Sequence, residues 1–228
     1  MLDSLLQVRY NDKRKILWTF PDSVIFLPHG YLVIVVWLFC CSYLGSVSRM
    51  GDYICMENNF LSLIKTRRSV RAYKSEPVPS EALDAVLEAG TYAPTGGGHQ
   101  SPTIIAITDP KYRKEIAKLN AEVMGSNTDP YYGAPVVILV LADGSASTFV
   151  EDGSCVLENM MLAAHALGLG TVWVHREREI FDSESGKALL REWKLPETLR
   201  GVGAIALGYP AQKAGQPAAR KQNYIVRI

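Results

Sequence analysis

The sequence predicts a three-layer α/β or α+β domain in which a sheet is packed between helices. Apolar segments of strand length alternate with longer amphipathic segments, in the order helix–helix–strand–helix–strand–helix–strand–helix–strand. One predicted helix, 149–167, is apolar around nearly its whole surface in its second half, which is typical of a helix buried between two layers. With 228 residues, 48% of them hydrophobic, the chain is long enough to bury one sizeable core.

The predicted strands are short apolar runs bounded by turn-forming residues. Two of them, TIIAIT and VVILVL, contain no charged residue, which is typical of strands buried on both faces. Strands are predicted at 103–108, 136–141, 171–174 and 202–207. Helices are predicted from Phe60, from Ser80 as N-cap to the residue before Pro94, and at 111–124, 149–167 and 186–193.

Residues 1–55 are predicted to form an N-terminal extension that is separate from a domain at 56–228. The stretch 23–48 contains no Asp, Glu, Lys or Arg. A membrane span needs roughly 20 consecutive apolar residues, and the Pro-His-Gly sequence at 28–30 interrupts this stretch. Three interpretations stay open: a marginal membrane anchor, an extra element packed on the domain, or residues upstream of the natural start.

The charge content argues against nucleic acid and membrane surfaces as partners, and the cysteine content indicates the redox compartment. The 24 basic and 23 acidic residues are mixed along the chain and leave a net charge of +1, so no overall field favours nucleic acid or a membrane surface. Three of the four cysteines lie in the first quarter of the chain, which is not a disulfide framework. A reducing, cytoplasmic location is therefore predicted.

Most catalytic side-chain patterns are missing from the sequence. The four histidines have no metal-ligand spacing with Cys, Asp or Glu, so no metal site is predicted. One of them, His165, faces Ala and Met residues and is predicted to be a hydrogen-bonded core histidine. The sequence has no Gly-x-Ser-x-Gly elbow, no phosphate-binding P-loop and no Cys-x-x-Cys pair. Redox chemistry would therefore require a cofactor.

Two local features are candidates for ligand binding. Arg67, Arg68 and Arg71 lie within one turn together with Ser69, and guanidinium groups bind phosphate oxygens two at a time. The loop 94–98 contains three consecutive glycines, which let a flat ligand approach bare backbone. Each feature also has a simpler interpretation, as a solvated basic turn and as a flexible turn.

Five segments, in this order, resemble the flavin-dependent nitroreductase family across 57–228. The arginine-rich turn resembles the family's opening R-R-S-x-R, and the glycine loop resembles its A-P-S-x-x-N-x-Q segment. The others are similar to its A-P-x-x-I strand, its central helix and following strand, and its closing turn and basic tail. The five segments are 67–71, 93–100, 134–138, 159–173 and 207–210 with Arg220 and Lys221.

The resemblance implies an α+β sandwich with a mostly antiparallel, mixed sheet, which forms an intertwined homodimer with FMN bound at the interface. It also implies an NAD(P)H-dependent oxidoreductase that passes hydride through flavin N5 to a nitroaromatic, quinone or enone-like acceptor by a ping-pong mechanism. No nucleic acid or membrane partner is implied.

The same resemblance assigns site residues. Arg71 is implied to approach the N1/C2-carbonyl edge of the flavin and to act in catalysis by stabilising the negative charge of the reduced form. The implied phosphate ligands are Arg67, Arg68, Ser69, Arg220 and Lys221. The implied contacts with the flavin itself are Pro94, Thr95, Gly96, Gly98 and Gln100 in a loop of the other subunit, and Trp173, Val174 and His175.

The sequence departs from the family pattern at two places. Gly98 stands where the family has Asn, and Ser101-Pro102 replaces Pro-Trp. The shape of the substrate pocket therefore does not follow from the resemblance. Other functions also stay open: a dehydrogenase or dehalogenase of the same fold, an FMN-binding protein without catalysis, or an interaction module that binds phosphorylated or nucleic-acid partners. Neither the acceptor nor the choice between NADH and NADPH follows from the sequence.

Overall fold

The computed structural model describes residues 7–11, 15–19, 49–50, 53–54 and 59–228. The chain divides into two units, 1–57 and 58–228. In the first unit two pairs of short strands are antiparallel: β1 (Gln7–Asn11) with β2 (Lys15–Thr19), and β3 (Arg49–Met50) with β4 (Tyr53–Ile54). The apolar stretch 23–48 lies outside the described residues, so its three interpretations remain predictions.

The second unit contains a four-stranded sheet in the order β5-β6-β8-β7, and every pair of neighbouring strands is antiparallel. All four predicted strands are present. Their bounds are Pro102–Ile107 for β5, Val136–Asp143 for β6, Gly170–Val174 for β7 and Leu199–Gly208 for β8. The central strands β6 and β8 are buried along almost their whole length, which explains why they are continuous apolar runs.

Helices cover both faces of this sheet, so the predicted three-layer arrangement is confirmed. Side chains of α2 and α4 form one core with one face of the sheet, and those of α3, α5 and α6 form a second core with the other face. Alternate residues of β6 contribute to each core, Ile138 to the first and Leu139 to the second. The helices are α1 (Asn59–Thr66), α2 (Ser80–Thr91), α3 (Pro110–Met124), α4 (Phe149–Ala166), α5 (Glu177–Asp182) and α6 (Glu184–Glu192).

Two local predictions differ from the structure. Ser80 is the first helical residue of α2 and Pro79 takes the N-cap position, so the predicted serine cap is wrong. The helix α5 was not predicted, because six residues are too few to show helical periodicity. No helix in the described part of the chain is long and apolar enough to span a bilayer.

A segment without regular structure attaches the arginine-rich turn to the sheet. Val70 N–H donates to the Thr171 carbonyl of β7 at 2.8 Å, and Lys74 N–H donates to the Tyr209 carbonyl at 2.9 Å. The backbone of Ser69 forms an isolated parallel bridge with Thr171. The basic turn is therefore fixed beside the beginning of β7, at the edge of the sheet.

Candidate functional site

The basic turn contains two guanidinium groups with unused donors. Arg67 N–H continues the last turn of α1 by donating to the Leu63 carbonyl at 3.1 Å, and Arg68 Nη1 donates to the carbonyls of Lys65 and Arg67 at 2.8 and 2.6 Å. Arg67 Nη1 and Arg68 Nε are buried and have no hydrogen-bond partner among the described residues. Buried donors are normally satisfied, so these two atoms indicate a missing acceptor.

A cavity of about 210 Å³ opens beside these donors. Arg67 and Arg68 line it together with His165 from α4 and Thr171 from β7, and no acidic side chain is among its lining residues. Two positive charges, free N–H groups and a partly enclosed space suit an anion such as phosphate, which accepts several charge-assisted hydrogen bonds at once. The residues present therefore fit the phosphate group of a nucleotide cofactor.

The other predicted phosphate ligands are exposed residues that do not line this cavity. Ser69 is exposed next to Thr171. Arg220 and Lys221 lie in the exposed C-terminal tail, where Arg220 Nη2 donates to the Ala218 carbonyl at 2.8 Å. None of the described hydrogen bonds or ion pairs connects this tail pair to Arg67 or Arg68, so its membership of the site stays a prediction.

The far end of β7 carries the predicted ring contacts Trp173, Val174 and His175. Val174 is buried in the core, whereas His175 is exposed at the end of the strand. The indole of Trp173 packs closely on Gly203 of β8, and its N–H is buried without a described partner. At roughly 3.3 Å per strand residue, His175 lies about 13 Å along β7 from Thr171. Both ends of the candidate site thus belong to one strand.

A buried polar network, not predicted from the sequence, supports this end of β7. Asn120 of α3 donates through Nδ2 to the His175 carbonyl at 2.9 Å and to Glu177 Oε1 at 3.1 Å, and its Oδ1 accepts from Arg176 Nε at 2.9 Å. Tyr131 O–H donates to the same oxygen of Glu177 at 2.9 Å. Complete burial raises the pKa of Glu177 to about 8. The network holds Arg176 at a φ of 87°, a conformation that costs a non-glycine residue energy.

The glycine loop has a defined conformation. Its three glycines form one 3₁₀ turn, and Gly97, Gly98 and Gln100 have positive φ angles of 58°, 73° and 51°. Gln100 N–H donates to Thr95 Oγ1 at 3.0 Å, which closes the loop. The φ of Gly98 is one that glycine adopts freely and that Asn, the residue of the family pattern, adopts more often than most other residues. Pro94 and Gln100 are exposed.

A single carboxylate fixes this loop. Asp152, in the first turn of α4 and only 3% exposed, accepts from Gly96 N–H at 2.8 Å and from the Ser101 hydroxyl at 2.7 Å. The hydrogen bond from Ser101 is the main reason why the pKa of Asp152 is lowered, and the helix N-terminus also favours the charged form. Ser101, one of the departures from the family pattern, is therefore part of the loop's support. Sequence reasoning missed Asp152 because an acidic residue in a first helical turn is common.

Replacing Asp152 by Asn is expected to loosen the loop, because the amide cannot accept well from both donors. Charge-assisted hydrogen bonds contribute roughly 1.5–3 kcal/mol each, so the Gly96 amide proton should exchange about tenfold to a hundredfold faster. Hydrogen exchange measured by mass spectrometry on peptides covering 94–101 tests this. The matched control is Asp143→Asn, which removes a carboxylate that accepts from Ser145 outside the loop. Equal exchange in both variants and the wild type would contradict the role.

The structure corrects the prediction for His165. Its ring is only half-buried and lies in the cavity with Arg67 and Arg68 instead of in the apolar core. Its Nε2 is 3.0 Å from the Thr66 hydroxyl. Burial, followed by the two nearby guanidinium groups, lowers the pKa of His165. No cluster of three or more metal-ligating side chains occurs within the residues that the structure describes.

The domain resembles known proteins both in sequence and in fold. The sequence profile of the nitroreductase family matches residues 64–209. A relative from Methanothermobacter thermautotrophicus, provisionally named NADH dehydrogenase/NAD(P)H nitroreductase, is 31% identical over 75% of this chain and 83% of its own length. The FMN reductase (NAD(P)H) of Bacillus subtilis is 27% identical over 70% and 69% of the two chains. A crystal structure of a Bacteroides fragilis nitroreductase with bound FMN has 29% identity and a TM-score of 0.69, and covers 75% of this chain and 99% of that one.

Proposed function

The chain belongs to the nitroreductase family, and from this premise we propose that it is an FMN-dependent oxidoreductase that transfers hydride from NAD(P)H to a small electrophilic acceptor. The acceptor class is a nitroaromatic compound, a quinone or an enone. The single observation that carries the proposal is the cavity beside β7, where Arg67 and Arg68 present buried N–H groups that have no acceptor among the described residues. The FMN seen in the Bacteroides fragilis relative supports phosphate as the ligand of these groups.

The proposed roles divide between the two ends of β7. Arg67, Arg68 and Ser69 bind the phosphate at the beginning of the strand, with Arg220 and Lys221 completing the cage. Trp173, His175 and the backbone of Val174 lie along the ring at the other end. When bound, FMN supplies the reversible two-electron chemistry that the side chains lack.

Arg71 is proposed to hold the negative charge that develops at the N1/C2 edge of the ring. It is exposed, four residues beyond Arg67, so its guanidinium group is free to meet a ligand that extends from the phosphate site. A fixed positive charge at that position stabilises the reduced state. The donor and the acceptor use the same pocket in turn, and solvent supplies the protons, so no dedicated acid or base is needed.

A homodimer is the proposed assembly, with the loop 94–100 of each subunit reaching the flavin of the other. The C-terminal tail supports this assembly. Its apolar side chains Tyr224, Ile225 and Val226 are 69–77% exposed in the single chain, and contact with a second subunit would bury them. Light scattering after size exclusion measures the assembly directly, and a monomer that retains FMN would contradict a shared site.

The proposed function is tested with the purified full chain by absorption spectroscopy followed by anaerobic addition of NADH or NADPH. We expect a flavin spectrum that bleaches on donor addition and recovers with nitroaromatic, quinone or enone acceptors. A yellow protein that neither donor bleaches would instead be an FMN-binding protein without this activity. A colourless protein that FMN does not reconstitute would contradict the proposal.

Replacing Arg71 by Ala is expected to slow anaerobic reduction of the bound flavin by roughly tenfold to a hundredfold, because removing a charge-stabilising group typically costs that much or more. Stopped-flow absorbance at saturating NAD(P)H measures the rate. Lys74→Ala, which removes an exposed charge from the same segment, is the matched control. Equal reduction rates in the two variants would refute the role of Arg71.

A further inference from the structure

His165 occupies a position that the proposed function does not use. It lies in the last turn of α4, where the helix dipole favours a positive charge. Its ring lines the same cavity as Arg67 and Arg68, and every other lining residue of that cavity is uncharged. A third group that can carry positive charge therefore faces the proposed phosphate position.

Hydrogen bonding assigns the ring nitrogens of His165. The Thr66 hydroxyl donates to the Ser62 carbonyl at 2.9 Å, so its oxygen is left to accept from His165 Nε2, 3.0 Å away. In the neutral ring the proton then resides on Nε2, and Nδ1 carries a lone pair. Protonation of Nδ1 would turn that acceptor into a charged donor.

The surroundings of His165 favour its neutral form in the absence of an anion. Burial and the positive charges of Arg67 and Arg68 lower its pKa, while the facing group from α1 is the neutral Thr66 hydroxyl. No carboxylate in the described part of the chain bonds to the ring. A dianion in the cavity would offset both guanidinium charges and favour the protonated imidazole.

Given that the cavity binds the FMN phosphate, as proposed above, we propose that His165 is an additional phosphate ligand that takes up a proton when the phosphate binds. One proton passes from solvent to Nδ1, and the resulting N–H donates to a phosphate oxygen. Thr66 orients the ring by accepting from Nε2. The recognised group is a phosphomonoester dianion, so FMN is favoured over the uncharged riboflavin.

The proposal predicts a definite pH dependence. The pKa of the His165 ring is below its ordinary value in the free protein and is higher in the FMN complex. At a pH between these two pKa values, FMN binding is therefore accompanied by proton uptake. FMN affinity should therefore rise as pH falls from 8 to 6.5, roughly tenfold for a pair of opposite charges at contact. The phosphate is still largely dianionic in this window, because its second pKa is about 6.

The first test is calorimetric titration of the full-length apoprotein with FMN at pH 6.5, 7.2 and 8, in two buffers that differ in ionisation enthalpy. Wild type should take up roughly two-thirds of a proton per FMN between pH 8 and 6.5, the uptake that a tenfold rise in affinity over this window requires. His165→Gln, which keeps a donor for Thr66, should take up almost none and lose the pH dependence. Riboflavin should show no proton uptake with either protein. Equal proton uptake in wild type and His165→Gln, including none in both, would overturn the proposal.

A second test does not require flavin. The imidazole resonances of His165, assigned by comparison with His165→Gln, are titrated by NMR in inorganic phosphate and in sodium chloride of equal ionic strength. A higher pKa in phosphate supports the proposal even if the chain binds no FMN, in which case only the proposed function fails. An unchanged pKa in phosphate overturns it.

Discussion

Replacing Arg67 and Arg68 together by Ala is expected to weaken FMN binding by about a hundredfold or more. Each guanidinium group can form charge-assisted hydrogen bonds that contribute roughly 1.5–3 kcal/mol. The buried Arg67 Nη1 and Arg68 Nε have no hydrogen-bond partner among the described residues, so both are available to the phosphate. Quenching of FMN fluorescence on titration into the apoprotein gives the dissociation constant.

The double variant should remain folded. Among the described side-chain hydrogen bonds of the two arginines, only Arg68 Nη1 bonds to protein carbonyls, and removing two neighbouring like charges relieves their mutual repulsion. The matched control is Lys114→Ala with Lys118→Ala, which removes two exposed positive charges from α3 and should leave the dissociation constant within about threefold at moderate salt. An equal loss in both double variants would indicate a general charge effect instead of a phosphate site.

Glu177→Gln is expected to abolish a strong pH dependence of stability. The folded-state pKa of Glu177 is raised to about 8 from an ordinary value of 4.5, so its favourable contribution is complete below pH 4.5 and is lost as pH rises towards 8. At 1.36 kcal/mol per unit of pKa difference, wild type should lose on the order of 4 kcal/mol of unfolding free energy across this window. The Gln side chain is neutral throughout and keeps an oxygen for Tyr131 and Asn120.

Urea unfolding at pH 5, 6.5 and 8 measures this difference. Glu177→Gln should match wild type near pH 5 and exceed it clearly at pH 8. Glu179→Gln, on the exposed side of the same short helix, is the control and should follow wild type at each pH. If the unfolding free energies of wild type and Glu177→Gln change with pH in the same way, the Glu177 carboxyl ionises in the folded protein as easily as in the unfolded chain, which contradicts the prediction.

Much of the fold was predictable because burial leaves a direct trace in the sequence. The run VVILVL is apolar since both faces of β6 meet helices, and α4 is apolar because it packs on the sheet. The prediction that TIIAIT is equally buried is wrong, because β5 is an edge strand in which only Ile107 is buried. The two candidate ligand segments, 67–71 and 94–98, were also visible because each is contiguous along the chain. Local composition was sufficient in these cases.

Residues whose roles depend on distant partners were not predictable. Asp152 and Gly96 are 56 positions apart, and Asn120 reaches His175 across 55. His165 was misassigned because its sequence neighbours are apolar, whereas the last turn of α4 faces the basic turn. Glu177 is fully buried, whereas acidic residues are usually exposed, so its residue type predicts a position on the surface. No local pattern specifies such pairings.

The position of β7 at the margin of the sheet bears on how one chain associates with another. One side of β7 pairs with β8, and the other is shielded where Ser69 and Val70 lie against Thr171. Open strand margins are templates for intermolecular pairing and aggregation. Ser69, a proposed phosphate ligand, therefore belongs to the segment that shields this margin from pairing with a strand of another chain.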